Sequence, residues 1–241
     1  MVRDIIEKHN GIYILRLDKR ETLGVYGDKA RIAYHMSLGQ NGIVTCGSRD
    51  SVQVTAFAKV CDVLNTPCYV HIPKGKVTNS IQQLEETNCK IIREKVGHNN
   101  VLNAHARDNA KEMGYKFVQL GMLCEEAYQL IGENAKLIIP YINKIKRIVI
   151  PVGSGTTMIG MCNALAQHKI NVPVLGVMTG MDATKNIKKD VRYDNYKLVK
   201  SKESYHEKSD SVFCGIKLNP TYEAKCAPYL QVGDLFYIVS K

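Results

Sequence analysis

Two glycines one residue apart, followed by two threonines, Gly153-Ser154-Gly155-Thr156-Thr157, come directly after the apolar run at 148–152. Behind them, Met158, Ile159, Met161, Cys162 and Leu165 recur at helical spacing. A strand that turns on glycines into a helix presents unpaired amides and the positive end of the helix dipole, which together form an anion site. The hydroxyls of Ser154, Thr156 and Thr157 add donors. No Gly-Lys-Ser/Thr follows, so this is not a nucleotide-triphosphate loop, and Met158 stands where a dinucleotide fingerprint needs its third glycine. A small phosphomonoester fits these residues; a plain strand-to-helix turn is the alternative.

Three further stretches carry residue types suited to chemistry. Ser48, Arg49, Asp50 and Ser51 lie at a second strand-to-helix junction. Ser48, Asp50 and Ser51 are N-cap types, which explains them without a ligand; the same amides and hydroxyls are also suited to hold a substrate carboxylate. Lys29 opens a helical pattern in Gly27-Asp28-Lys29-Ala30-Arg31. The dipole disfavours a cation at a helix start, which eases its neutralisation, and a neutral amine is what attack on a carbonyl requires. One surface lysine among 33 Lys and Arg residues is the ordinary reading. Tyr222, in Asn-Pro-Thr-Tyr-Glu-Ala-Lys-Cys at 219–226, reads as a packing residue when taken alone.

The elements that must position these residues alternate. Strand patterns cover 41–47, 66–73, 89–95, 115–120, 147–153, 172–179 and 233–240; helical patterns cover 50–65, 77–88, 100–114, 124–142 and 156–168. Thr78 or Asn79 is placed to cap the second helix, Gly114 to close the third, and Pro140 to break the fourth. Strands that alternate with helices form parallel crossover units, so the fold class is α/β, two-lobed, with mostly parallel twisted sheets and flanking helices. Residues 40–118 are expected to form a small lobe, and 1–39 with 119–241 a larger one.

The chain has 241 residues, no apolar run near the ~20 needed to cross a bilayer, and an opening too charged for a secretory signal. A cytoplasmic protein with no membrane association is expected. Eight cysteines lie scattered in apolar contexts with no C-x-x-C pair, which argues for reduced core residues and against a metal site. The net charge of +10 suits a lysine-rich surface or a nucleic-acid partner. Its densest basic stretch, 185–208, interleaves Tyr, Asp and Glu and reads as a loop or an edge element.

In their order along the chain, Lys-Arg-Glu at 19–21, Gly-Asp-Lys-Ala-Arg at 27–31, the 45–54 segment, the 153–157 turn and the 219–226 segment resemble fold type II (tryptophan synthase β-like) pyridoxal-phosphate enzymes. The branch they resemble contains aminocyclopropane-carboxylate deaminase, D-cysteine desulfhydrase and diaminopropionate ammonia-lyase. That resemblance implies pyridoxal 5'-phosphate joined to Lys29 as a Schiff base. It implies a phosphate cup at Gly153, Ser154, Gly155, Thr156 and Thr157, and Ser240 facing the pyridine nitrogen. It places Ser48, Asp50 and Ser51 at the substrate, with Ser48 and Ser51 on its carboxylate, and Tyr222 as a second acid or base or a stacking wall. A homodimer is the family habit. Asp28 replaces the usual Asn, and Arg49 stands where an Asn usually meets the cofactor ring; the chain is also shorter than common members. The implied activity is a lyase or deaminase acting on an amino acid or amine. The alternatives are an enzyme that tailors an amino-acid-modified nucleic-acid base by decarboxylation or elimination, and a non-catalytic binding relative.

Overall fold

The structure, a computed structural model, describes residues 5–95, 98–180, 182–205, 207–209 and 212–239. The chain begins with an antiparallel hairpin, β1 (Ile6–His9) and β2 (Ile12–Arg16). A short ribbon follows, β3 (Glu21–Thr22) and β4 (Val25–Tyr26), then α1 (Asp28–Ser37), β5 (Ile43–Cys46), α2 (Val52–Val63), β6 (Cys68–Pro73) and α3 (Asn79–Glu85). Next come β7 (Lys90–Glu94), α4 (Asn99–Met113) and β8 (Lys116–Val118). The second half runs through α5 (Glu125–Gly132), α6 (Ala135–Ile138), β9 (Arg147–Val152), α7 (Thr156–Gln167), β10 (Val174–Met178), α8 (Thr184–Asp190) and β11 (Tyr196–Lys200). A two-residue ribbon, β12 (Val212–Phe213) and β13 (Ile216–Lys217), and β14 (Asp234–Ile238) complete it.

The chain divides into two compact units, residues 21–122 and residues 1–20 with 123–241. In the first, the sheet order is β7-β6-β5-β8, with every pair parallel. Parallel neighbours demand crossovers, and α2, α3 and α4 supply them. α2 buries Val54, Phe57, Ala58 and Cys61 at the predicted helical spacing. Thr78 caps α3 by accepting from the Ile81 amide, and Gly114 ends α4 in a left-handed conformation at φ +66°. Residues 21–39 differ from expectation. They belong with this unit rather than with the larger lobe, because the buried face of α1 (Ala30, Ile32, Ala33, Met36) packs on α2.

In the second unit the sheet order is β1-β2-β14-β9-β10-β11, parallel except for the opening hairpin. β9 beyond half-buried Arg147 and the whole of β14 are buried, so they read as near-continuous apolar runs. The basic 185–208 stretch contains α8 and β11, and β11 is the sheet's edge strand, pairing only with β10 among the described residues. α7 packs closely on α5: a side chain at Gly160 would lie 2.7 Å from the Tyr128 carbonyl oxygen. Helix α5 ends at Gly132, before Pro140. Asn134 just beyond it is buried, accepts from Arg20 Nη1 at 2.9 Å and donates to Tyr237 Oη at 2.8 Å. Asn134 itself keeps right-handed helical dihedrals, and α6 carries the helical path on to Ile138, two residues before Pro140.

Candidate functional site

In the second unit, β9 runs through Gly153 and Ser154 into α7, whose cap position is Gly155 at φ +102°. A glycine cap has no side chain to spend on the first-turn amides, and those amides of any helix lack intrahelical partners. Packing enforces the glycines as well. A side chain at Gly153 would meet the Tyr222 ring at 3.1 Å; one at Gly155 would meet Ile187 Cγ1 at 3.0 Å and Ala183 Cβ at 3.6 Å. Ser154 Oγ and Thr156 Oγ1 share a hydrogen bond at 2.9 Å, and Asn186 Nδ2 donates to the Ser154 carbonyl at 3.2 Å. Thr156 is buried and Thr157 half-buried.

Tyr222 therefore forms one side of this turn. Its ring meets that of Tyr205 edge-on, with centroids 6.5 Å apart. Thus 219–226, far off in sequence, is brought onto 153–157. Ser240 lies outside the described residues.

The other predicted residues belong to the first unit. Lys29 is the second residue of α1, half-buried, in the turn that Gly27 opens at φ +103°. Buried Asp28 beside it pairs with Arg31 at 2.9 Å and supplies the negative charge that a helix start favours. Ser48, Arg49, Asp50 and Ser51 sit between β5 and α2. Ser51 is the N-cap by position, yet its side chain makes no cap hydrogen bond. Ser48 is half-buried, and Asp50 is exposed. Arg49 reaches across Gly75, where a side chain would stand 2.3 Å from its guanidinium, and donates to the Lys76 carbonyl at 3.2 Å. Thr78 Oγ1 in turn donates to the Arg49 carbonyl at 2.8 Å.

Several residues that shape this end of the sheet carry no sequence motif. Buried Gln53 donates from Nε2 to Thr45 Oγ1 and to the Gln119 carbonyl, each at 3.0 Å, and accepts from the Gly121 amide at 2.8 Å. Asn103 accepts from Cys46 Sγ and from the Leu120 amide. Burial pushes the Cys46 thiol up to about 12, so it stays protonated at neutral pH. Glu94, the last residue of β7, bonds both His71 Nδ1 within β6, at 2.5 Å, and His105 Nδ1 on α4, while His71 Nε2 meets Asn109. Burial alone would raise the Glu94 carboxyl, but His105 and His71 hold it below the usual carboxylate range.

Among the described residues there is no group of His, Cys, Asp and Glu able to hold a metal ion, and no helix long and apolar enough to cross a membrane. The arrangement at 153–157 fits a phosphate-bearing cofactor: a tight glycine turn, hydroxyls on the turn, a helix start capped by a residue without a side chain, and an aromatic ring alongside.

A family model described as pyridoxal-phosphate dependent enzyme matches residues 8–234. Solved structures share the fold. An ACC deaminase homologue is 18% identical, with a TM-score of 0.81 over 95% of this chain and 84% of its own. Threonine deaminase isoform 2 from Solanum lycopersicum is 17% identical, with a TM-score of 0.66 over 95% and 78%. Diaminopropionate ammonia lyase from Escherichia coli is 11% identical, with a TM-score of 0.63 over 95% and 77%. No curated protein sequence matches the chain.

Proposed function

The chain belongs to the pyridoxal-phosphate dependent enzyme family, and from that premise we propose that it is a lyase or deaminase acting on a small amino acid or amine. The cradle at 153–157 carries this reading, because it offers a phosphate donors on a turn that packing keeps free of side chains. In the proposal, Gly153, Ser154, Gly155, Thr156 and Thr157 hold the cofactor phosphate, with Tyr222 as the wall beside it. Lys29 attaches the cofactor through its Nζ, and once released it takes or returns the proton at the substrate α-carbon. Bound pyridoxal phosphate supplies the electron sink that makes a bond to that carbon breakable.

The start of α2 holds the substrate carboxylate in this reading. Its N-cap Ser51 leaves the cap bond unmade, so the first-turn amides and the Ser48 and Ser51 hydroxyls are suited to an anion. Asp50, exposed on the same turn, orients the substrate's amino end. Arg49, on the same turn, meets the cofactor ring or an anionic substrate in this reading. Ser240, a neutral group, leaves the pyridine nitrogen unprotonated, which favours elimination over amino-group transfer. The names of two structural relatives, a threonine deaminase and an ammonia lyase, point to the same class of reaction. The test is ammonia and keto-acid release from a panel of amino acids by the cofactor-loaded protein. Release by wild type and none by Lys29→Ala supports the proposal; no release from any amino acid counts against it.

One observation favours a second reading, in which the amine is part of a nucleic acid. Lys185, Lys188 and Lys189 on α8 and Lys197 and Lys200 on β11 are all exposed, and the first three line a shallow depression with Asp182 and Thr184. A lysine-studded edge strand also guards against edge-to-edge pairing, which explains β11 without a polyanion. Binding to DNA or RNA that weakens steeply with salt supports this reading, and binding insensitive to salt opposes it.

A further inference from the structure

Lys225 is among the largest fully buried side chains, 1% exposed, and no salt bridge holds it among the described residues. Its Nζ sits instead among backbone oxygens. It donates to the Ser204 carbonyl at 2.5 Å and, at 3.5 Å each, to the carbonyls of Thr179 and Tyr205. An ammonium has three N–H donors, and three oxygens surround it. One comes from the residue after β10, and two come from the loop that follows β11. Glu203, on that same loop, has one oxygen bonded by Ser209 Oγ; its other oxygen, Oε2, is buried with no hydrogen-bond partner among the described residues. Glu207 secures the loop from the far side by accepting from the Ser204 amide at 2.6 Å. Burial lowers the Lys225 amine below its ordinary value, and the charges of Glu203 and Glu207 act against that.

Carbonyl oxygens from separate segments converging on one point, with a carboxylate nearby, are the donor set of a hard monovalent cation. Without a cation the Thr179 and Tyr205 carbonyls would lose the Lys225 ammonium as donor, while the more exposed Ser204 carbonyl would keep the Glu207 amide at 3.2 Å. We propose that the carbonyls of Thr179, Ser204 and Tyr205, backed by Glu203, form a cation cage whose permanent occupant is the chain's own Lys225 ammonium. Removal of the lysine opens the cage to a free potassium-sized ion. The tethered cation ties Ser204 and Tyr205 to Thr179 at the end of β10. It thereby fixes Tyr205, whose ring packs over Gly180 and edge-on against Tyr222, which in turn lies against Gly153. This inference does not depend on the cofactor reading, because the cage is complete within the protein.

The experiment uses the full chain and Lys225→Met, which keeps the stem and removes the charge. Thermal unfolding is followed by circular dichroism in chloride salts of potassium, rubidium, lithium and choline at equal ionic strength. Wild type should melt alike in all four. Lys225→Met should melt lower in choline and lithium and recover in potassium and rubidium, and crystals soaked in rubidium should show anomalous density inside the three carbonyls. Adding Glu203→Gln to Lys225→Met should raise the potassium concentration for half-recovery about tenfold, near 1.4 kcal/mol. Equal melting in all salts, equal rescue by choline, a variant that stays unfolded even in potassium, or an unchanged half-recovery concentration would each overturn the proposal.

Discussion

Gly155→Ala probes the cradle most sharply, because the structure separates its two costs. The first is backbone strain. Position 155 holds φ at +102°, a region where an L residue is worse than glycine by about 1–2 kcal/mol. The second is contact. The new methyl would stand 3.0 Å from Ile187 Cγ1 and 3.4 Å from Cδ1, and Ile187 is fully buried, so it has little room to yield. Forcing a methyl into such packing adds about 1 kcal/mol or more. The expected loss is roughly 2–3 kcal/mol. Gly114→Ala is the internal control: its φ is +66°, nothing lies within 4 Å of the added carbon, and the strain alone predicts about 1 kcal/mol. Urea unfolding followed by circular dichroism measures both. A titration of pyridoxal phosphate followed by absorbance then separates the sites. Gly155→Ala should bind the cofactor at least about tenfold more weakly, and Gly114→Ala should bind it like wild type. Equal stabilities and equal cofactor affinities in the two variants would refute both the contact argument and the assignment of the cradle.

Three further outcomes follow from the packing. Gly160→Val should destabilise the chain by about 2–3 kcal/mol in urea unfolding, because the Tyr128 carbonyl at 2.7 Å from the added carbon is backbone and cannot move aside without parting α5 from α7. Gln53→Leu removes the hydrogen bond from the Gly121 amide to Gln53 and one of those accepted by the Gln119 carbonyl, which keeps the Met122 amide at 2.9 Å, and should cost about 1–3 kcal/mol in the same assay. Glu94 is held below the usual carboxylate value, so its contribution is complete above about pH 4.3 and is lost as pH falls through the lowered value. Melting temperatures of wild type should therefore fall more steeply than those of Glu94→Gln as pH is lowered below that point, and parallel curves would contradict the role given to His71 and His105.

The parts legible in the sequence are those where local pattern and tertiary demand coincide. β9, its glycine turn and α7 could be read because a fully buried strand is a continuous apolar run and α7 keeps an unbroken helical period. Thr78 and Gly114 act as the cap and stop their types suggest. Ser51 has the right type and position but forms no cap bond, so residue type alone overstated its local role. The Lys-Arg-Glu motif turns out to anchor long-range contacts: Lys19 pairs with Glu7, and Arg20 bonds Asn134. Such partners are more than ten positions away and leave no periodic trace. The same holds for Gln53 with Gln119 and Gly121, for the cluster at His71 and Glu94, and for Lys225, which looks like one more surface lysine until three distant carbonyls are found around it. β11 and α8 were obscured by their charge, because an edge strand and a short surface helix bury too few residues to show a period.

The account turns on one lysine. Borohydride reduction of the protein loaded with pyridoxal phosphate, followed by peptide mass spectrometry, fixes the cofactor to whichever amine holds it. The account predicts the pyridoxyl label on the peptide containing Lys29 and its loss in Lys29→Ala; a label on another lysine, or none at all, would contradict it.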